Sequence, residues 1–337
     1  MATIAFAISL TLAPSAPAAV YWSSGIGFGA ANADGSQLIA PLPYGYYPAF
    51  SANTCGLEVD AQHLYWADVE AGTVGRANLD GTNPERAFVP GLSLPCGIAV
   101  DAGHVYWAER AADTIGRARL DGSGVERGFI ATGEMPTGVA VDGQHLYWSN
   151  QVGGTIGRAR LDGSEVDNNF VPGIGAPIGI AVGPGHVYWG DSDTEAIGRA
   201  SLDGSQIQPG FIAAAGQTWD MAVDAASLYW ADRDRGGGLR RAALDGGRQE
   251  RNLFGTPPDP TGVAVDSRAI PPSPPMSPRP SDYIRFGATV HDRRSGTVRL
   301  IVEVPARGDF RVVSPGVAWA STRATRRPGW SARSAGS

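Results

Sequence analysis

The sequence predicts an all-β fold: a six-bladed β-propeller of four-stranded blades, closed by a C-terminal strand at 261–266 and followed by a small β module. Three observations carry this. A Tyr-Trp pair recurs at Tyr21-Trp22, Tyr65-Trp66, Tyr106-Trp107, Tyr147-Trp148, Tyr188-Trp189 and Tyr229-Trp230. The first interval is 44 residues and the other four are 41 each, and a period near forty with an aromatic signature marks a four-stranded blade. The composition, 43% hydrophobic with 46 Gly and 25 Pro, suits many short strands joined by turns.

The first 18 residues hold an apolar run from Ile4 to Ala13 and then Ala16-Pro17-Ala18. That reads as a secretory signal, too short to span a bilayer, and it predicts a secreted or cell-surface protein. Residues 19–266 form the propeller. In the clearest repeat, Gly97–Asp101 is strand A, of β-branched character. His104–Glu109 is strand B and Ile115–Leu120 strand C, with Asp121-Gly122 supplying a tight hairpin turn. Glu126–Ala131 is strand D. Strands A and B are apolar on both faces, as expected of a blade sandwiched between neighbours.

The two ends decide whether the array is open or closed. The first copy starts at strand B, Val20-Tyr21-Trp22, with no strand A before it. The last ends as a lone strand A, Thr261–Asp266. Pairing that segment beside Val20–Ser24 completes six blades and removes the exposed edges of an open array.

Beyond it, 267–281 is a Pro-rich linker and 282–316 a small module. The module's expected strands are Ile284–Val290, Thr297–Val304 and Phe310–Val313; residues 317–337 are an Arg-rich tail. Charge is unevenly spread, −14 over residues 1–266 and +8 over 267–337. An acidic body argues against nucleic acid as a partner.

Six copies of Tyr-Trp with a recurring Leu-Asp-Gly resemble the YWTD family, the class B repeats of low-density lipoprotein receptors, over residues 19–266. The family's acidic residue two after Trp is matched by Asp68, Glu109, Asp191 and Asp232 and replaced by Asn150. The resemblance implies an extracellular ring that binds other molecules through one face, without catalysis.

Strand polarity places the D–A and B–C loops on one rim and the A–B and Asp-Gly turns on the other. The second rim is nearly uniform from copy to copy, whereas the first varies, and varied loops on a fixed scaffold are where binding resides. The loop Pro41–Asn53 carries Tyr44, Tyr46, Tyr47 and Phe50. It either presents contact residues or folds over the ring as a plug. A charged loop holds Arg233 and Arg235, adjacent to the first if the ring closes, and Trp219 stands alone at its repeat position, expected at the channel mouth.

Other clusters are read as structural. Asp191, Asp193 and Glu195 alternate but lack the remaining ligands of a calcium loop, so no cofactor is expected. His63, His104, His145 and His186 spread around the ring, one per blade, instead of converging as zinc ligands must. Arg76, Arg117, Arg158, Arg199 and Arg241 share one strand C position and are expected to stack on Trp or pair with the acid after it. Cys55 and Cys96 occupy one position of strand A in adjacent blades, so they form either a disulfide or two buried thiols.

No Gly-x-Ser-x-Gly elbow is present, and the repeated polar residues look alike from blade to blade. The reading is a non-catalytic binder of a protein, peptide or glycan. The alternatives are a metal-dependent hydrolase or lyase on the channel, or a structural surface protein.

Overall fold

A computed structural model describes residues 18–24, 27–38, 54–234, 237–255, 259–266, 285–292 and 297–303. The chain divides into two compact units, Met1–Pro271 and Pro272–Ser337. In blade 3 the strands run Pro95–Val100, His104–Glu109, Thr114–Arg119 and Glu126–Ala131. Strands B and D match the expectation. Strand A begins two residues early because Pro95 and Cys96 pair with Glu109 and Ala108 before a bulge. Strand C begins one early because Thr114 pairs with Glu109.

The ring is closed by its two ends. Pro260–Asp266 pairs antiparallel with Ala19–Ser24, Tyr21 opposite Ala264, and is the innermost strand of blade 1. Among the described residues, blades 2 to 5 have four strands and blades 1 and 6 three. In blade 6 the fourth position is reduced to one bridge, Arg241 to Glu250, before a 3-10 turn at Leu253–Gly255.

The Tyr-Trp dipeptide explains how blades pack. Successive residues of a strand point to opposite faces, so each Tyr enters the seam with the following blade and each Trp the seam with the preceding one. Tyr65 thus shares a buried cluster with Trp107, Tyr106 with Trp148, Tyr147 with Trp189 and Tyr188 with Trp230. Tyr229 with Trp22 makes the closing seam in the same way. The strand C glycine opposite Trp leaves room for the indole: a Cβ on Gly116 would run into Trp107.

Five of the six seams are also stapled by the strand C arginines, blade 1 having Ala30 there, though not by the expected partners. Arg117 Nη1 donates to the Leu161 carbonyl of the next blade, and its guanidinium stacks on Phe129 at 3.7 Å and pairs with Glu126. Arg76, Arg158 and Arg199 stack likewise on Phe88, Phe170 and Phe211. The expectation of Trp or the post-Trp acid is corrected because strand C borders strand D, and the Phe and Glu come from there. The acid after Trp holds its own blade's loops instead. Glu109 accepts from Trp107 Nε1 and from the Ser93 amide, both at 3.0 Å.

On the uniform rim the strand A aspartate organises the A–B turn. Asp101 Oδ1 accepts from the Gly103 and His104 amides and Oδ2 from the Tyr106 hydroxyl. The histidines begin strand B there, His63, His104 and His145 each against its own blade's aspartate at 3.6–3.9 Å. On the same rim, the Asp-Gly turns use glycine at positive φ, 85° at Gly122.

Cys55 and Cys96 are joined by a disulfide, Cα–Cα 4.8 Å, tying the inner strands of blades 2 and 3. Replacing both by Ser is expected to lower stability by about 2–4 kcal/mol, read by denaturant unfolding without reductant; an unchanged midpoint would mean the bond adds nothing to the fold. In the second unit, Arg285–Asp292 and Thr297–Glu303 pair as an antiparallel hairpin. The expected strand at 310–313, the leader, the linker and the tail lie outside the described residues.

Candidate functional site

The D–A and B–C loops do share a rim, and backbone bonds join them. The first residue of the B–C loop donates its N–H to the D–A loop in four consecutive blades: Arg110 to Leu94, Gln151 to Met135, Ser192 to Ala176 and Arg233 to Gln217. These four residues therefore sit at one height, above the starts of the inner strands. Two expected site residues meet there. Trp219, on the inner strand Thr218–Val223 of blade 6, is half-buried, and the Arg233 guanidinium lies 4.4 Å above its ring. Tyr44, Tyr46, Tyr47, Phe50 and Arg235 lie outside the described residues.

Across the mouth in blades 3 and 4, Arg110 Nη2 donates to Gln151 Oε1 at 3.2 Å, and the Thr137 hydroxyl approaches the same oxygen at 3.4 Å. Burial holds the Arg110 guanidinium below its usual range, and its Nε is shielded without a hydrogen-bond partner.

Below the mouth the six inner strands close on the axis. Five carry glycine at one position: Gly56, Gly97, Gly138, Gly179 and Gly262. The backbones approach so closely that a Cβ on Gly97 would lie 2.6 Å from the Thr137 carbonyl. The sixth position is Asp220. Its Oδ2 accepts from the Val263 amide of blade 1 and the Leu57 amide of blade 2, both at 3.0 Å, and Oδ1 from the Met221 amide. Glu58, where most other inner strands have Ala, is the second carboxyl of this channel. Burial pushes Asp220 up to about 7 against those three donors. Burial also pushes Glu58 up to about 8, with one amide, from Val59, opposing and the Asp220 charge adding to the rise. With three donors against one, Asp220 is the carboxylate that ionises first, and Glu58 keeps its proton longer.

Sequence reading missed Asp220, Glu58 and Arg110. The signal was available: Asp220 and Glu58 each break a small-residue column of the repeat, and so does Arg240, which replaces the strand C glycine and pairs with buried Asp232. The expectation that polar residues repeat alike is corrected: blade 6 and this channel depart from it. At the calcium-like sequence, Asp191 accepts from the Ala176 and Asp193 amides and the Thr194 hydroxyl. Among the described residues no three His, Cys, Asp or Glu gather as a metal site, and no helix is long and apolar enough to cross a membrane.

The geometry defines a six-bladed β-propeller with Trp219, Arg233, Arg110 and Gln151 on one rim. No protein-family model and no curated protein matches the chain. Among solved structures, the propeller of a nidogen/laminin complex is similar at TM-score 0.62 and 19% identity, over 75% of this chain and 99% of that one. A catalytically inactive variant of virginiamycin B lyase from Staphylococcus aureus, with quinupristin, is similar at TM-score 0.52 and 15% identity, over 77% and 95%. A gluconolactonase from Xanthomonas campestris aligns at TM-score 0.49 and 16% identity, over 74% and 82%. At these identities the likeness is one of fold.

That likeness corrects one expectation. The absence of catalysis was inferred from a resemblance to binding rings, but the same ring also occurs in enzymes such as the lyase. The fold therefore does not exclude an activity here.

Proposed function

We propose that this protein is a secreted propeller that binds a protein, peptide or glycan at the channel mouth of its variable rim. The observation that supports this reading is convergence: Trp219, Arg233, Arg110 and Gln151 depart from the repeat, and all stand at one mouth. The opposite rim repeats one Asp-centred turn in blades 2, 3, 4 and 6. The disulfide agrees with an oxidising, extracellular setting, as do the signal-like first 18 residues. The YWTD-type reading agrees with the likeness to the propeller of the nidogen/laminin complex.

The test presents glycan and peptide arrays to the protein, to Trp219→Ala and to Gln144→Ala, the last an exposed residue of the uniform rim. Ligands kept by Gln144→Ala and lost by Trp219→Ala are expected. The reverse pattern would remove the mouth as the binding site.

A second reading, a hydrolase or lyase working in the channel, is favoured by Asp220 and Glu58 alone. Two carboxyls poised near neutral pH in the channel are suited to proton transfer to a bound substrate. Turnover of any captured ligand that Glu58→Gln abolishes without loss of binding would favour it.

A further inference from the structure

Five arginines of this ring are matched by acids, Arg76 by Glu85, Arg117 by Glu126, Arg160 by Glu165, Arg240 by Asp232 and Arg241 by Glu250, while Arg158 and Arg199 are held by a carbonyl of the next blade and a Phe ring. Arg110 and Arg233 differ. Both are half-buried at the channel mouth, and neither forms an ion pair among the described residues. Arg110 bonds only a neutral amide, and Arg233 only covers the Trp219 ring. A desolvated guanidinium without an anion is costly, and the cost is relieved when a ligand supplies one. Blades 3 and 6 face each other across a six-fold ring, so the two cations flank the mouth from opposite sides.

Between them, in blades 4 and 5, stand the Gln151 amide and the Ser192 hydroxyl, beside the exposed acids Glu134 and Asp193 of the same loops. Trp219 adds a part-buried aromatic surface at the edge of this group, one face of it under the Arg233 guanidinium. Hydroxyl-matching groups, an aromatic platform and two separated cations together describe a sugar chain that carries acids. Resting on the mouth as the binding site, we infer that the ligand is an acidic saccharide: a glycan whose uronate carboxylates pair with Arg110 and Arg233 while a sugar ring packs on Trp219. Leu94 and Val152, exposed on the same rim, make an acidic peptide the competing occupant.

Calorimetric titration with short oligogalacturonate, a neutral cello-oligosaccharide and oligo-glutamate decides between them. Oligogalacturonate is expected to bind at least about tenfold more tightly than the other two, with affinity falling as salt rises. Arg110→Gln, Arg233→Gln and Trp219→Ala are each expected to weaken it about tenfold or more, at unchanged melting temperature, and Gln144→Ala to leave it unchanged. No oligogalacturonate binding, or equal binding of oligo-glutamate, overturns the inference. Should the neutral sugar or the peptide bind and be lost in Trp219→Ala, only the acidic-saccharide assignment falls. Should oligogalacturonate bind all three mouth variants undiminished, the mouth reading falls with it.

Discussion

Glu58→Gln is expected to make the protein more stable than the native chain at pH 8.5 and indistinguishable from it at pH 4.5. Glu58 titrates near its ordinary 4.5 in the unfolded chain and at about 8 in the ring. Between those values the folded state holds a proton that the unfolded state has released, so stability falls as pH rises. The contribution is fully present below about 4.5 and lost as pH climbs through 8. Asp220, raised from 3.8 to about 7, adds a fall of the same sign over a lower interval. For Glu58 alone the loss is on the order of 2–4 kcal/mol, reduced from the full linkage value because its channel side reaches water. Gln keeps the oxygen that accepts from the Val59 amide and never ionises. Denaturant unfolding of both proteins from pH 4.5 to 9 reads the effect. Parallel stability curves would mean that the two carboxyls do not share the channel in the way described.

How much was legible in advance depends on whether a feature belongs to one repeat or to the axis where six meet. The Tyr-Trp pair and the Asp-Gly turn are local, and they placed strands B and D of blade 3 and the order of the blades. Closure was also legible, because a lone strand A at one end and a missing one at the other have a single economical pairing. Trp219 was found because it is conspicuous in size. Asp220 and Glu58 were not, since an acid inside a strand reads as a solvated face until topology shows that every strand A faces the same channel. Arg110 looked like an ordinary charge in a loop; its importance lies in the partner it lacks. The strand C arginines were assigned a structural role correctly and partners wrongly, because spacing along the chain does not say whether a side chain leans toward strand B or strand D.

The largest effect is expected from removing the closing strand. A chain ending at residue 258 should lose cooperative unfolding, whereas one ending at residue 271 should unfold as the native ring does. Without Pro260–Asp266, blade 1 loses its inner strand, and Ala19–Ser24 exposes an unpaired edge. The buried hydroxyl chain Ser23, Thr261, Thr54, with links of 3.0 and 2.7 Å, is broken as well. Asp220 loses the Val263 donor, which leaves a buried carboxylate less well paired. The Tyr229–Trp22 seam loses the cover that Val263 gives it, so the damage spreads to blades 6 and 2 instead of staying at one edge. A milder variant probes the same contact without deleting the strand. A Cβ on Gly262 would lie 2.7 Å from both Leu57 Cβ and Ser23 Oγ, so Gly262→Ala is expected to cost about 1–3 kcal/mol by overpacking the seam. Circular dichroism and thermal melts of the two shortened chains and the point variant give the comparison. A cooperative, native-like transition in the chain ending at 258 would show that four complete blades, the three-stranded blade 6 and a frayed blade 1 hold together unaided, and that the ring does not depend on the strand that joins its ends.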